Sequence, residues 1–322
     1  MTINGADPTG QTGIAADLAV FRTHRLTTQC VVTAAAGPGE LYALPTTVVG
    51  GQLSVALRQA TPAAVKVGLV ATAEIAGSIA AHVRAGDLRN VVVDPELEAG
   101  YGSHLGVVAS LMRLLPLAAI VTPNIDEAAA LVGFPVTNPS EMAKAAAQLA
   151  SLGARYVVVT GGRLGGDECV DAVWTPTGKQ FLRAPRIDAP NTRGAGCMFS
   201  AMIAARLAQG RGVAEAITIA KEQVTKALTA ARAHAYANGQ SPILPSPTDG
   251  AASIAARSGA DKAAASNNGG SPGGPAGDGA SGNATGAAAP AQRSAPNETD
   301  DAEPAVVHAA IRDEHRHAES AA

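Results

Sequence analysis

From residue 2 to residue 160 the chain repeats one alternation: a short run of β-branched residues, then a longer stretch rich in alanine and leucine. No other feature constrains the fold as strongly. A strand that returns through a helix to a neighbouring strand must run parallel to it, with a right-handed crossover. The strand-like runs are Thr2–Asn4, Gln29–Ala34, Ala64–Leu69, Asn90–Asp94, Ala119–Thr122 and Arg155–Thr160, bounded by glycine, proline or polar residues. Several, such as Val91–Val93, are apolar throughout, as strands covered on both faces require. The helical stretches between them are Ile14–His24, Glu74–Ala85, Leu105–Leu114, Glu127–Val132 and Glu141–Leu152. Leu105, Val108, Leu111, Met112 and Leu115 recur at helical spacing and mark one apolar face. The pattern predicts an α/β fold, doubly wound, with a mainly parallel central sheet and helices on both faces.

After Thr160 the segments shorten. Val170–Thr175 and Lys179–Ala184 read as an antiparallel pair about Pro176-Thr-Gly178, and helices over Cys197–Leu207 and Val213–His234 close the domain. Every aromatic residue lies between Phe21 and Tyr236. Beyond them the chain is rich in Ala, Gly, Ser and Pro, with Ile243, Leu244 and Ile254 the only large apolar residues before position 300. Such a segment cannot bury enough surface to offset its ordering entropy. The expected organisation is one domain over residues 1–238 and a disordered, low-complexity tail over 239–322.

Charged residues make up 16% of the chain and the formal net charge is −3. Neither a nucleic-acid footprint nor a polybasic membrane signal follows from that balance. No apolar run approaches the ~20 residues that span a bilayer. Cys30, Cys169 and Cys197 show no paired spacing, so neither a disulfide framework nor a zinc site is expected. The first residues carry neither a basic nor an apolar leader pattern, and a cytoplasmic protein is expected.

Four stretches carry chemistry. In Asn191-Thr192-Arg-Gly194-Ala195-Gly196-Cys197, glycines precede an apolar helix. A helix N-terminus exposes unpaired amides and about half a positive charge, which together cradle an anion. Cys197 stands in the first turn, its thiol pKa expected to be lowered by the helix, and a thiolate beside an anion cradle can act as base or nucleophile. In Gly5-Ala-Asp7-Pro-Thr-Gly-Gln-Thr-Gly13 to Asp17, a tight turn opens a helix beside a small polar ligand. In Thr122-Pro-Asn124-Ile-Asp-Glu127, an amide and a carboxylate three residues apart suit magnesium, or equally an ordinary helix cap. Asp94 ends a strand at the same sheet edge. Thr160-Gly-Gly162 leaves a strand where a ligand can approach.

In this order the motifs resemble the hydroxymethylpyrimidine/phosphomethylpyrimidine kinases of thiamine synthesis, within the ribokinase-like superfamily, over residues 1–236. The resemblance implies ATP-dependent phosphorylation of a hydroxymethyl group and then of the resulting monophosphate. It assigns Cys197 as base and Gly194, Ala195, Gly196 and Cys197 as the amide cradle. Gly5, Asp7 and Asp17 would bind the small-molecule substrate, Thr160, Gly162, Asn191 and Thr192 would bind ATP, and Asp94, Asn124 and Glu127 would organise Mg²⁺. A homodimer is the expected assembly. The chain departs from the family at Thr160, where lysine is usual. Another departure is Ala36–Glu40, where a pyrimidine-binding glutamine is usual, and a third is the Glu-Leu-Glu-Ala-Gly-Tyr-Gly stretch after Pro95. A pyridoxal kinase of the same fold and a non-catalytic ligand-binding relative are the alternatives these departures leave open.

Overall fold

The computed structural model describes residues 1–37, 40–97, 105–189 and 191–233. The expected tail, His234 and most of the stretch after Pro95 lie outside the described residues.

Nine strands form one sheet in the order β3-β2-β1-β4-β5-β6-β7-β8-β9. The parallel core comprises β1 (Thr2–Ala6), β2 (Cys30–Ala36), β4 (Val65–Val67), β5 (Val91–Val93), β6 (Ile120–Val121) and β7 (Tyr156–Val159). The antiparallel strands β3 (Leu41–Ala43), β8 (Glu168–Thr175) and β9 (Gly178–Pro185) lie at its two edges. The β8–β9 pair turns at Pro176–Thr177, at the place the sequence predicts.

The core strands sort their residues onto two faces with period two. Val91 and Val93 join one core and Val92 the other; Val121 and Ile120 divide likewise, as do Val157 with Val159 and Val158. Helices α2 (Thr46–Gln59), α3 (Ala73–Ala85), α5 (Ile125–Val132) and α6 (Pro139–Ser151) cover the first face. Helices α1 (Gly13–Thr23), α7 (Ala195–Ala208) and α8 (Val213–Ala233) cover the second. Helix α7 is apolar nearly all round because it is packed on the sheet and flanked by α1 and α8.

Two differences from the sequence pattern have physical causes. The helix expected over Leu105–Leu114 ends as α4 at Leu111, because Pro116 holds the Leu115–Leu117 turn beyond it in a 3₁₀ form. Helix α2 and strand β3 have no counterpart in the sequence pattern. Paired glycines and β-branched Val48 and Val49 mask α2, yet Val49, Leu53 and Ala56 form its buried stripe.

The chain leaves β1 for β2 on one side of it and later returns to β4 on the other. Crossovers on opposite faces are where a sheet of this kind places its ligand crevice, here at the carboxyl ends of β1, β4 and β5. The loops after these strands carry the glycine-rich and acidic motifs.

Candidate active site

Two glycine loops nest against each other at this edge. Asp7, just past β1, folds its own turn: it accepts from the amides of Thr9 at 2.9 Å and Thr12 at 3.1 Å, and from both hydroxyls. Burial works against its charge, but the Thr12 and Thr9 hydrogen bonds, with Arg193 at 3.7 Å, hold its carboxyl below the usual range. Asp7 therefore shapes the loop instead of waiting for a ligand. Gly194 caps α7 with φ 85°, and a Cβ there would collide with the carbonyl oxygen of Gln11. Asn191 Nδ2 donates to Gln11 Oε1 at 3.0 Å, which ties Asn191 to the β1–α1 loop.

The amide cradle is narrower than expected. The amide of Ala195 donates to the carbonyl of Thr192 at 3.2 Å. Those of Gly194, Gly196 and Cys197 have no acceptor among the described residues, as the first turn of a helix dictates.

Behind the cradle lies a buried ionic cluster. Lys66, in the middle of β4 and fully buried, donates from Nζ to Asp17 Oδ1 at 2.6 Å and to the carbonyl of Cys197 at 3.5 Å. It also lies 3.5 Å from Asp94 Oδ2 and 3.9 Å from Glu96 Oε1. Burial alone would lower its pKa, yet Asp17 foremost, with the further acidic groups around it, holds it well above the ordinary lysine value. Asp17 also accepts from Thr2 at 2.5 Å and Asn4 at 3.1 Å, and none of it reaches the surface. The expected contact between Asp17 and the substrate is not met in this geometry. Asp17 instead fixes Lys66 one layer below the crevice.

Asp94 is held by Ser200 Oγ at 2.8 Å and Thr122 Oγ1 at 3.1 Å. Cys197, 7% exposed, donates from Sγ to Glu96 Oε1 at 3.1 Å. The same oxygen accepts from Asn4 Nδ2 at 3.3 Å, while Glu96 Oε2 has no partner among the described residues. Burial pushes the Glu96 carboxyl up to about 7, and Lys66 only partly offsets it. The Cys197 thiol is pushed well above its ordinary value by burial and then by Glu96. The helix terminus on its own predicts a lowered thiol pKa. The correction arises because the partial charge of a helix end is smaller than desolvation plus a facing carboxylate.

At the other end of the crevice, Asn124 caps α5. Its Oδ1 accepts from the amides of Asp126 at 2.9 Å and Glu127 at 3.0 Å, and Glu127 Oε2 accepts from the Asn124 amide at 2.8 Å. Both halves of a capping box are therefore made. Burial raises the Glu127 carboxyl well above its usual range, and Asp94 raises it further. Buried carboxylates that repel one another suit a hard divalent cation, which prefers oxygen donors. Asp94 and Glu127 fit that need. Asn124 does not, because the helix amides occupy its oxygen. The backbone of Thr160 bridges to Asn124, and Gly161 donates its amide to Asp171 Oδ1 at 2.9 Å. Arg163 pairs with Asp126 at 2.6 Å, and Arg186 Nη1 donates to the carbonyl of Gly162 at 2.8 Å.

Lys66, Glu96, Asn4 and Ser200 are the site residues that sequence reasoning does not assign. A lysine inside an apolar strand run is itself a signal, because a fully buried lysine requires a partner. Glu96 lies in the stretch after Pro95 that departs from the family. A separate cleft of about 740 Å³, lined in part by Gln29, Cys30, Gln52 and Gln59, opens at the amino ends of β1, β2 and β4. It contains none of the expected site residues.

The phosphomethylpyrimidine kinase family model matches residues 7–243. A hydroxymethylpyrimidine/phosphomethylpyrimidine kinase of Streptomyces coelicolor is 36% identical over 239 residues, covering 71% of this chain and 88% of that protein. A pyridoxine kinase of Bacillus subtilis is 35% identical over 243 residues, covering 71% and 89%. Among solved structures, the ADP complex of Bacillus subtilis pyridoxal kinase aligns with a TM-score of 0.66 at 33% identity, covering 70% of this chain and 89% of that one. Among the described residues, no helix is long and apolar enough to cross a membrane.

Proposed function

Because this chain belongs to the phosphomethylpyrimidine kinase family, we propose that it transfers the γ-phosphoryl group of ATP to 4-amino-5-hydroxymethyl-2-methylpyrimidine and then to the resulting monophosphate. One observation carries the reading. The amides of Gly194, Gly196 and Cys197, which have no acceptor among the described residues, lie together at the N-terminus of α7, with the Cys197 thiol in the same turn. Amides fixed in that arrangement stabilise the charge on a migrating phosphoryl group without reorganising.

In this reaction the acceptor hydroxyl oxygen bonds to the γ-phosphorus as the bond to the β-phosphate bridging oxygen breaks. Cys197 takes the hydroxyl proton, having passed its own thiol proton to Glu96 at 3.1 Å. Ser200 and Thr122 hold Asp94 toward the phosphate end, and Lys66 keeps the inner carboxylates from forcing the cluster apart. Asp94 and Glu127 are the residues that would hold Mg²⁺, which supplies charge compensation to the phosphates when bound. Arg163, on the loop after β7, brings a cation to the nucleotide end that Thr160 does not provide. Catalysis rests on positioning and charge, not on a covalent intermediate.

The test is ATP consumption coupled to a reporter, with the aminopyrimidine alcohol, its monophosphate and pyridoxal run side by side. The expected result is turnover with the two pyrimidines in the presence of magnesium. Turnover with pyridoxal alone would assign the vitamin B6 activity named for the Bacillus subtilis relatives. Binding of Mg-ATP with no turnover on any acceptor would mark a non-catalytic relative.

A further inference from the structure

Glu96 stands beside the Cys197 thiol, where the substituents of an acceptor held there can be read. Oε1 is occupied by the Cys197 thiol and the Asn4 amide. Oε2 has no partner among the described residues, and the side chain retains 20% exposure, so the carboxylate is not sealed in. With Cys197 as the base, the reacting hydroxyl is beside Sγ. A substituent on a ring carbon next to the one bearing the hydroxymethyl group is then within reach of Glu96.

We propose that Glu96 is a specificity-determining residue, whose free carboxylate oxygen accepts a hydrogen bond from a ring amino group adjacent to the hydroxymethyl group. This rests on the kinase reading above. The chemistry separates the two acceptor classes. In the aminopyrimidine alcohol, the carbon next to the one bearing the hydroxymethyl group carries an amino group, a donor. In pyridoxal the corresponding carbon carries an aldehyde, whose oxygen only accepts. A carboxylate facing an aldehyde oxygen leaves two acceptors opposed and one of them desolvated, and such mismatches discriminate more strongly than a lost apolar contact. Asn4 holds the carboxylate from the far side, and Lys66 at 3.9 Å keeps a positive charge behind it. The expected consequence is a preference for amino-bearing acceptors.

The experiment compares three acceptors on the full-length protein: the aminopyrimidine alcohol, its analogue with hydrogen in place of the amino group, and pyridoxal. Both kcat/KM and calorimetric affinity without ATP are measured. Wild type should favour the amino compound over the deamino analogue by roughly 10- to 100-fold in both measurements. Glu96→Gln, whose amide can donate, should shrink that ratio and raise activity toward pyridoxal relative to the pyrimidine. Equal use of the amino and deamino compounds by wild type would overturn the proposal, and no variant needs to fold for that result. Because Glu96 also receives the Cys197 proton, kcat falls on every acceptor in Glu96→Gln and is not the deciding readout; an unchanged amino-to-deamino ratio in the calorimetric affinities of Glu96→Gln would also overturn the proposal. If nothing is phosphorylated but affinity still depends on the amino group, the kinase reading fails and the recognition by Glu96 stands.

Discussion

At the scale of single residues, the site is governed by what is buried beside what. Cys197 faces a carboxylate across 3.1 Å, with Lys66 3.9 Å from that carboxylate, and in the mechanism proposed above this small group would decide where the reacting proton goes. Cys197→Ala should lower kcat by about 10²- to 10⁴-fold while the KM for ATP changes little, since a base acts mainly in the transition state. Steady-state kinetics that leave kcat unchanged would remove the thiol from the mechanism. Glu96 supplies a pH signature of its own. Its carboxyl titrates at about 7 in the folded protein against an ordinary value of 4.5, so the folded state binds that proton more tightly than the unfolded chain does. Stability from this group is present below pH ~4.5 and lost as the pH climbs through ~7. Glu96→Gln, which mimics the protonated acid, should match the wild-type melting temperature at pH 4.5 and exceed it by a few degrees at pH 8. Thermal melts across that range decide the point, and parallel curves would refute it. Of these residues, Cys197 and Asp94 are legible in the sequence because they sit in local motifs. Lys66 is legible only as a lysine in need of a partner and Asn4 not at all, because the partners are set only when β1 and β4 are hydrogen-bonded neighbours.

At the scale of elements, strand exits and helix starts do the positioning. Gly194 is confined to a left-handed conformation with the Gln11 carbonyl where a Cβ would stand. Gly194→Ala must shift that loop, so the variant should lose stability by at least the ~1 kcal/mol of a left-handed alanine, and its kcat should fall with it. A circular dichroism melt paired with kinetics would reveal either loss. The α5 cap yields a contrasting pair. Asn124→Ala should cost about 1 kcal/mol as the loss of a cap, with the magnesium requirement unaltered. Glu127→Gln should raise the magnesium concentration needed for half-maximal rate, because it removes a buried charge that adjoins Asp94. Identical magnesium titrations for wild type and Glu127→Gln would leave that glutamate with the capping role alone. Helix α5 can be read from sequence because its cap and apolar face are both local. Helix α2 cannot, since its glycines and valines favour other states and only packing of Val49 and Leu53 on the sheet overrides them.

At the scale of the molecule, alternation in the sequence specifies a parallel sheet but not the order of its strands. Placing β1 between β2 and β4 is a tertiary choice, and it brings Asp17, Lys66 and Asp94 within reach of one another from three separate elements. Every residue assigned to the reaction lies between Asn4 and Ser200, and the family match ends at residue 243. From residue 244 to position 300 the only large apolar residues are Leu244 and Ile254. Apolar burial contributes roughly 25 cal/mol per Å², so a segment this poor in large side chains has little apolar surface to offer a core. A chain ending at Ile243 should therefore keep the wild-type melting temperature within about 2 °C and its kcat/KM for the pyrimidine alcohol within about twofold. If the truncated protein still melts as wild type does but no longer turns over, the tail takes part in the reaction and the active site is not confined to the sheet's carboxyl edge. If instead its melting temperature falls by many degrees, the boundary drawn from composition is misplaced and part of the tail belongs to the core.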